Sequence, residues 1–178
     1  MLRELDRDAW RALLGLAPET VPRALVLRGT RNLKDQYRSH AARFDRVRAV
    51  VTPNGVLEDV FCAELGGVPV AYASVYGAPM AAEVAHAFCA AGTPWVVQTG
   101  CCGALDPALE VGELFFARGA VCGEGASRYY GAPETVAAEP PASGAAFPGV
   151  PVRAGRLYTT SALFAQSKAQ MAAWLARG

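Results

Sequence analysis

The residues able to do chemistry in this 178-residue chain gather in two short glycine-containing segments. Gln98-Thr99-Gly100-Cys101-Cys102-Gly103 follows the apolar run Trp95-Val96-Val97. Small residues at the carboxyl end of a parallel strand let a ligand approach the backbone closely. A tight turn with glycines at positive φ accounts for the same spacing, so spacing alone leaves both readings open. Tyr76-Gly77-Ala78-Pro79 likewise joins a strand to a helix start, which attracts anions. Neither segment carries a nucleophile beside a base. Cys102 has no histidine near it in sequence and no serine-hydrolase elbow around it, and reads as a small packed hydrophobe. His40 and His86 read as packed or surface side chains, and Glu124, after a strand, reads as solvated.

The elements that must position these segments follow from hydrophobic period and turn residues. An approximate helical spacing of Leu5, Trp10, Leu13 and Leu14 predicts a short helix over 3–16. Arg23 to Arg28, after Pro22, reads as a buried strand entering Gly29-Thr30, with a helix from about Asn32 to Arg43 after it. Val47 to Thr52, Val60 to Leu65 and Val68 to Val75 read as a meander divided by Pro53-Asn54-Gly55 and Gly66-Gly67. Met80, Val84, Ala87, Phe88 and Ala91 form the clearest helical stripe, stopped by Gly92. Strands over Trp95 to Thr99 and Leu114 to Val121 come next, and this strand–helix–strand order implies a crossover and a largely parallel core. The Ala-, Pro-, Gly- and Ser-rich stretch 132–151 is expected to be a surface loop or mobile excursion. A strand over Val152 to Tyr158 and a helix over Ala162 to Ala176, capped by Thr159, Thr160 or Ser161, complete the chain. There is no internal repeat. The expected fold class is α/β, a three-layer α/β/α single domain over 1–178 with a mixed central sheet.

Composition narrows the function. With 17 basic and 16 acidic side chains, the formal charge of +1 lacks the basic stripe that phosphate-backbone binding needs, so nucleic acid is not the expected partner. No apolar run approaches the ~20 residues of a membrane span and the N-terminus does not read as a secretory signal, so no membrane partner and a cytoplasmic location are expected. The five cysteines, Cys62, Cys89, Cys101, Cys102 and Cys122, are odd in number and suit reduced thiols better than a disulfide framework. Cys101-Cys102 is vicinal rather than CxxC, and two histidines complete no zinc spacing, so no metal is expected.

Read together, Val97-Gln98-Thr99-Gly100-Cys101-Cys102-Gly103-Ala104-Leu105, Val111-Gly112-Glu113-Leu114 and Gly125-Ala126-Ser127-Arg128 resemble the purine nucleoside and uridine phosphorylase family. The family pattern is Arg-x-Gly-Thr/Ser-Cys/Thr-Gly-Ala, then Val-Gly-Asp, then a small-residue loop. Tyr76-Gly77-Ala78-Pro79 is similar to its Gly-Met-Gly-x-Pro-Ser turn, and Tyr158 to Phe164 to its Ser-Ser/Ala-Asp-x-Phe-Tyr segment. The resemblance, from about Ala24 to the C-terminus, implies cleavage of the N-glycosidic bond of a purine or pyrimidine nucleoside, with phosphate or water as acceptor. It implies no cofactor beyond phosphate as co-substrate, and a homo-oligomer. By this resemblance Cys101, Cys102 and Gly103 would line the pocket beneath ribose and base, Tyr76, beside Gly77, would replace a ribose-contacting Met, and Leu163 or Phe164 would pack on the base. Glu124 could hydrogen-bond base or ribose. Gly29 falls where the family has its Gly-Asp-Pro-x-Arg phosphate loop, and Arg48 falls near an arginine the family lends to the neighbouring subunit's phosphate site.

The departures bear on mechanism. Gln98 stands where the family has its motif arginine and Cys101 where it has a phosphate-binding hydroxyl, so a cation and a hydroxyl donor have become an amide and a weak thiol donor. Phosphate affinity is expected to fall, because charge-assisted bonds are roughly twice as strong as neutral ones; Arg31 or Lys34 would be the candidates to restore the charge. The family's Glu-Met-Glu ribose clamp and its Ser-Asp acid have no counterpart before Gly178, which suggests a C-terminally incomplete domain that is inactive alone. A catalytically decayed nucleoside-binding or structural protein of the same fold is the alternative.

Overall fold

The protein is described by a computed structural model over residues 2–139 and 149–177. The chain divides into two compact units, Met1–Cys101 and Cys102–Gly178.

In the first unit the apolar runs and stripes form a layered sheet and helices. Helix α1 spans Arg7–Leu14: Asp6 caps it by accepting the Ala9 N–H at 2.8 Å, and Gly15 closes it in the left-handed conformation. Then come β1 (Ala24–Gly29), α2 (Leu33–Ala41), β2 (Asp45–Ala49), β3 (Val60–Leu65), β4 (Val68–Val75), α3 (Gly77–Ala91) and β5 (Trp95–Thr99). The sheet order is β2-β3-β4-β1-β5, with β1 parallel to both β4 and β5 and the β2-β3-β4 meander antiparallel. Strand β1 alternates its faces. Leu25 and Leu27 pack with Trp10 and Leu14 of α1 and with Val84 and Phe88 of α3, while Ala24 and Val26 join Phe61, Tyr72 and, from α2, Tyr37 and Ala41. Helices therefore cover both faces, and the expected α/β architecture with a mixed sheet is present.

The second unit holds β6 (Leu114–Cys122), the short helix α4 (Ala126–Tyr129), β7 (Thr135–Ala137), β8 (Val152–Thr159) and α5 (Lys168–Leu175). Its sheet runs β7-β6-β8, with β7 antiparallel and β8 parallel to β6. Two expectations change here. Residues 135–137, expected within a loop, pair with 119–121 of β6; residues 140–148 of that expected loop lie outside the described residues. The last helix begins at Lys168, because Ser167 accepts the Gln170 N–H at 3.2 Å while Gln170 accepts the Ser167 N–H at 2.9 Å. This reciprocal cap fixes the start there rather than at Thr159, Thr160 or Ser161. Leu163–Ala165 form only a 3-10 turn.

Candidate functional site

In the first unit the carboxyl ends of β1, β4 and β5 lie side by side, because the three strands are parallel and in register: Gly29 sits beside Val75, and Arg28 beside Thr99. The chain leaves β1 toward α2 and leaves β4 toward α3, on opposite faces of the sheet. Such a divergence opens a crevice at the strand ends. The Thr30 N–H donates to the Val75 carbonyl at 2.9 Å and ties the two exits together.

The glycines let the backbones converge. A Cβ on Gly29 would stand 3.3 Å from the Thr99 carbonyl oxygen, and one on Gly100 would stand 3.4 Å from the Gly29 carbonyl oxygen. Gly77 starts α3 at φ +80°, a conformation that favours glycine. Next to it the Tyr76 N–H donates to Met80 Sδ at 3.2 Å, and the Arg31 guanidinium lies over the Tyr76 ring, 5.4 Å from its centroid. This stacked pair brings two of the residues singled out from sequence to one place. Gln98 is exposed and registers with Leu27 on β1, and Cys101 is an exposed free thiol.

Arg48 does not join this group within its own chain. It lies on the sheet-edge strand β2, and the registers Arg48–Cys62, Cys62–Ala71 and Ala71–Leu25 place it level with the start of β1. Its guanidinium lies 3.8 Å from where a Gly15 Cβ would stand. The same charge partly offsets the burial that pushes the Cys62 thiol up.

Cys102, Gly103, Leu163 and Phe164 belong to the second unit. Cys102 is exposed rather than packed as a small hydrophobe, the backbone having left β5 before it. Phe164 is 94% and Leu163 51% exposed. Glu124, expected in solvent, is 7% exposed and accepts the N–H groups of Ala126 and Ser127 at the start of α4. Burial acts to raise its pKa, but those backbone donors and Arg128 outweigh it and hold the carboxyl below its ordinary value. It is spent on shaping the loop. A small cleft of about 160 Å³ lies beside it, lined by Cys122, Ser127, Arg128, Ala132, Pro133 and Glu134.

Two features escaped sequence reading. Arg28, which ends the apolar run of β1, directs its guanidinium to the strand ends: Nη1 donates to the Gly29 carbonyl at 3.4 Å and Nε to Gln36 Oε1 at 3.5 Å. Behind it the buried Tyr72 hydroxyl meets Ser74 Oγ at 3.3 Å, and His40 stacks on the Tyr72 ring at 4.6 Å. A charge closing an otherwise apolar strand was the available signal for Arg28. His86 makes an edge-on contact with Trp10 at 5.4 Å, which suits a packed histidine. Among the described residues no cluster of histidine, cysteine and carboxylates could hold a metal ion, and no helix is long and apolar enough to cross a membrane.

Comparison with known proteins places this arrangement. No curated protein matches the chain. Among solved structures, uridine phosphorylase from Vibrio fischeri ES114 superposes with a TM-score of 0.67 at 21% identity, covering 90% of this chain and 68% of that one. The same enzyme complexed with 6-hydroxy-1-naphthoic acid superposes at 0.69, also at 21% identity, over 93% and 69%. At that identity the likeness establishes the fold. The family model of the phosphorylase superfamily matches residues 33–178, from the start of α2 through both glycine-containing segments to the end, and the chain belongs to that superfamily.

Proposed function

We propose that the protein serves in nucleoside cleavage: it binds a purine or pyrimidine nucleoside at the strand ends and directs phosphate, with water as the competing acceptor, to the N-glycosidic bond. The observation that carries this reading is the convergence of Gly29, Tyr76-Gly77 and Gly100 at the carboxyl ends of three parallel strands in a member of the phosphorylase superfamily. Open backbone at strand ends suits a flat, polar ligand such as a nucleoside, and the neighbouring arginines suit an oxyanion.

In this reading Tyr76 lies against the ribose, Cys101, Cys102 and Gly103 contribute the floor under ribose and base, and Leu163 or Phe164 packs on the base. Gly29 and Gln98 offer neutral hydrogen bonds to the acceptor, Arg31 adds charge, and Arg48 comes from a second copy of the chain. The working state is then a cytoplasmic homo-oligomer, with phosphate the only small-molecule co-substrate. Because Gln98 is an amide and Cys101 a thiol, phosphate is held less tightly than a cation and a hydroxyl would hold it, which favours water as acceptor.

Isothermal titration of inosine, adenosine and uridine into the 178-residue chain, with and without phosphate, tests the reading. Binding of one of them at submillimolar concentration, lost in Cys102→Trp, is expected. No binding of any nucleoside, or unchanged binding in Cys102→Trp together with Tyr76→Ala, overturns it. Any free base released, quantified as a function of phosphate, assigns the acceptor: a rate that rises with phosphate marks phosphorolysis, and a flat one marks hydrolysis.

A further inference from the structure

The geometry points to Arg28, the penultimate residue of β1, as the group that binds the oxyanion at these strand ends, a charge supplied from the central strand β1 rather than from Gln98 on β5. The identity of the anion, inorganic phosphate, rests on the function proposed above; the placement of the charge rests on the fold alone.

A half-buried guanidinium needs compensation, since burying an unpaired charge is costly. Arg28 has little. Its two hydrogen bonds go to neutral oxygens, Gln36 Oε1 at 3.5 Å and the Gly29 carbonyl at 3.4 Å, both at the outer limit of useful geometry. Among the described residues no carboxylate forms an ion pair with it, whereas Arg38 and Arg46 pair with Asp35 and Glu64. Five N–H donors in a planar fork are thus served by two weak acceptors, which leaves the bidentate geometry that oxyanions take.

The neighbourhood fits an anion. Arg28 registers with Ser74 on β4 and Thr99 on β5, so a small hydroxyl residue flanks it on each neighbouring strand. Nη1 lies 3.9 Å from where a Gly100 Cβ would stand, so the glycine leaves open the space in front of the guanidinium. The Gln36 contact, one helix face away on α2, and the Gly29 carbonyl hold the side chain along the strand end rather than out in solvent.

Titration of inorganic phosphate into the 178-residue chain, followed by calorimetry, tests the assignment. Arg28→Met is expected to weaken phosphate binding roughly 10- to 100-fold, the range for losing a charge-assisted hydrogen bond. Arg28→Gln, which keeps a polar head against Gln36 and Gly29, carries the same expectation and guards against misfolding, and Arg28→Lys recovers part of the loss. Arg23→Met, at the opposite end of β1, leaves phosphate binding unchanged. Nucleoside binding, measured in parallel with uridine and inosine, changes less than about threefold in all four variants. Wild-type phosphate affinity in both Arg28→Met and Arg28→Gln, or a wild-type chain that binds nucleoside but no phosphate, overturns the Arg28 assignment and leaves nucleoside binding standing. A wild-type chain that binds phosphate but no nucleoside, with the Arg28 variants weakened as expected, upholds Arg28 and strikes the proposed function instead.

Discussion

Glu124 shows how one side chain sets a loop and leaves a trace in stability. Its carboxylate takes the donors of Ala126 and Ser127 from inside the fold, and its folded pKa lies below the ordinary value despite the opposing pull of burial. A depressed carboxyl contributes stability that is complete above the unfolded value of about 4.3 and is lost as pH falls through the folded value. The expected outcome is that the urea midpoint of the wild-type chain drops on going from about pH 6 to about pH 3.5, and that Glu124→Gln flattens this drop. Equal pH dependence in the two proteins would show that Glu124 gains nothing from its partners. Tyr72→Phe makes a second case. It leaves the buried Ser74 hydroxyl, 1% exposed, without its ring-hydroxyl neighbour and should cost about 1–3 kcal/mol in the same assay; a change below about 0.5 kcal/mol would mean the pair contributes nothing net. At this scale sequence showed residue types but not directions. Tyr76, Gly77 and Gly100 were legible because backbone type and turn position coincide. Arg28 and Glu124 were not, because whether a charge at a strand end points inward depends on the partner strands, and one chain of letters does not state them.

Elements were more legible, for the reason that period is a physical signal. The stripe from Val84 to Ala91 buries Val84, Ala87, Phe88 and Ala91 against β1 and β4, as its spacing requires. Phe88→Ala, at 0% exposure, is therefore expected to cost about 3–5 kcal/mol by denaturant melting, and a loss under about 1 kcal/mol would place that side chain outside the core. The last helix was misjudged because Ala162 to Ala176 has helix propensity throughout, so propensity could not locate a start that one reciprocal cap decides. Ser167→Ala should shorten α5 and cost about 1 kcal/mol, read as reduced helical signal and a lower melting midpoint; an unchanged midpoint would assign the start to packing instead. Strand β7 was hidden in a Pro- and Ala-rich stretch. Three residues are too few to show a period, and they become a strand only because β6 offers an unpaired edge at Gly119 to Val121.

At the scale of the whole molecule, Arg48 forces a choice. It sits on edge strand β2, separated from β1 by β3 and β4 and level with Leu25 rather than Gly29, which is about 13 Å along the strand from the strand ends plus about 14 Å across the sheet. No arginine side chain spans that distance, so Arg48 either has no part in the site or serves the site of another copy. The function proposed above takes the second, and mixing distinguishes them. Gly100→Leu would lay a side chain across the exit of β1, starting 3.4 Å from the Gly29 carbonyl, and block the site of its own chain. Arg48→Met would remove only what is lent to the neighbour. Each variant alone should bind phosphate poorly. In an equimolar mixture of exchanging dimers, half are hybrids, and in each hybrid the Arg48→Met chain keeps an open site that receives Arg48 from its partner; about a quarter of all sites should then recover. Phosphate titration of the mixture, with sedimentation velocity confirming the dimer, reads this directly. Recovery near zero in a confirmed, exchanging dimer would confine Arg48 to its own chain and, given its distance from Gly29, remove it from the site.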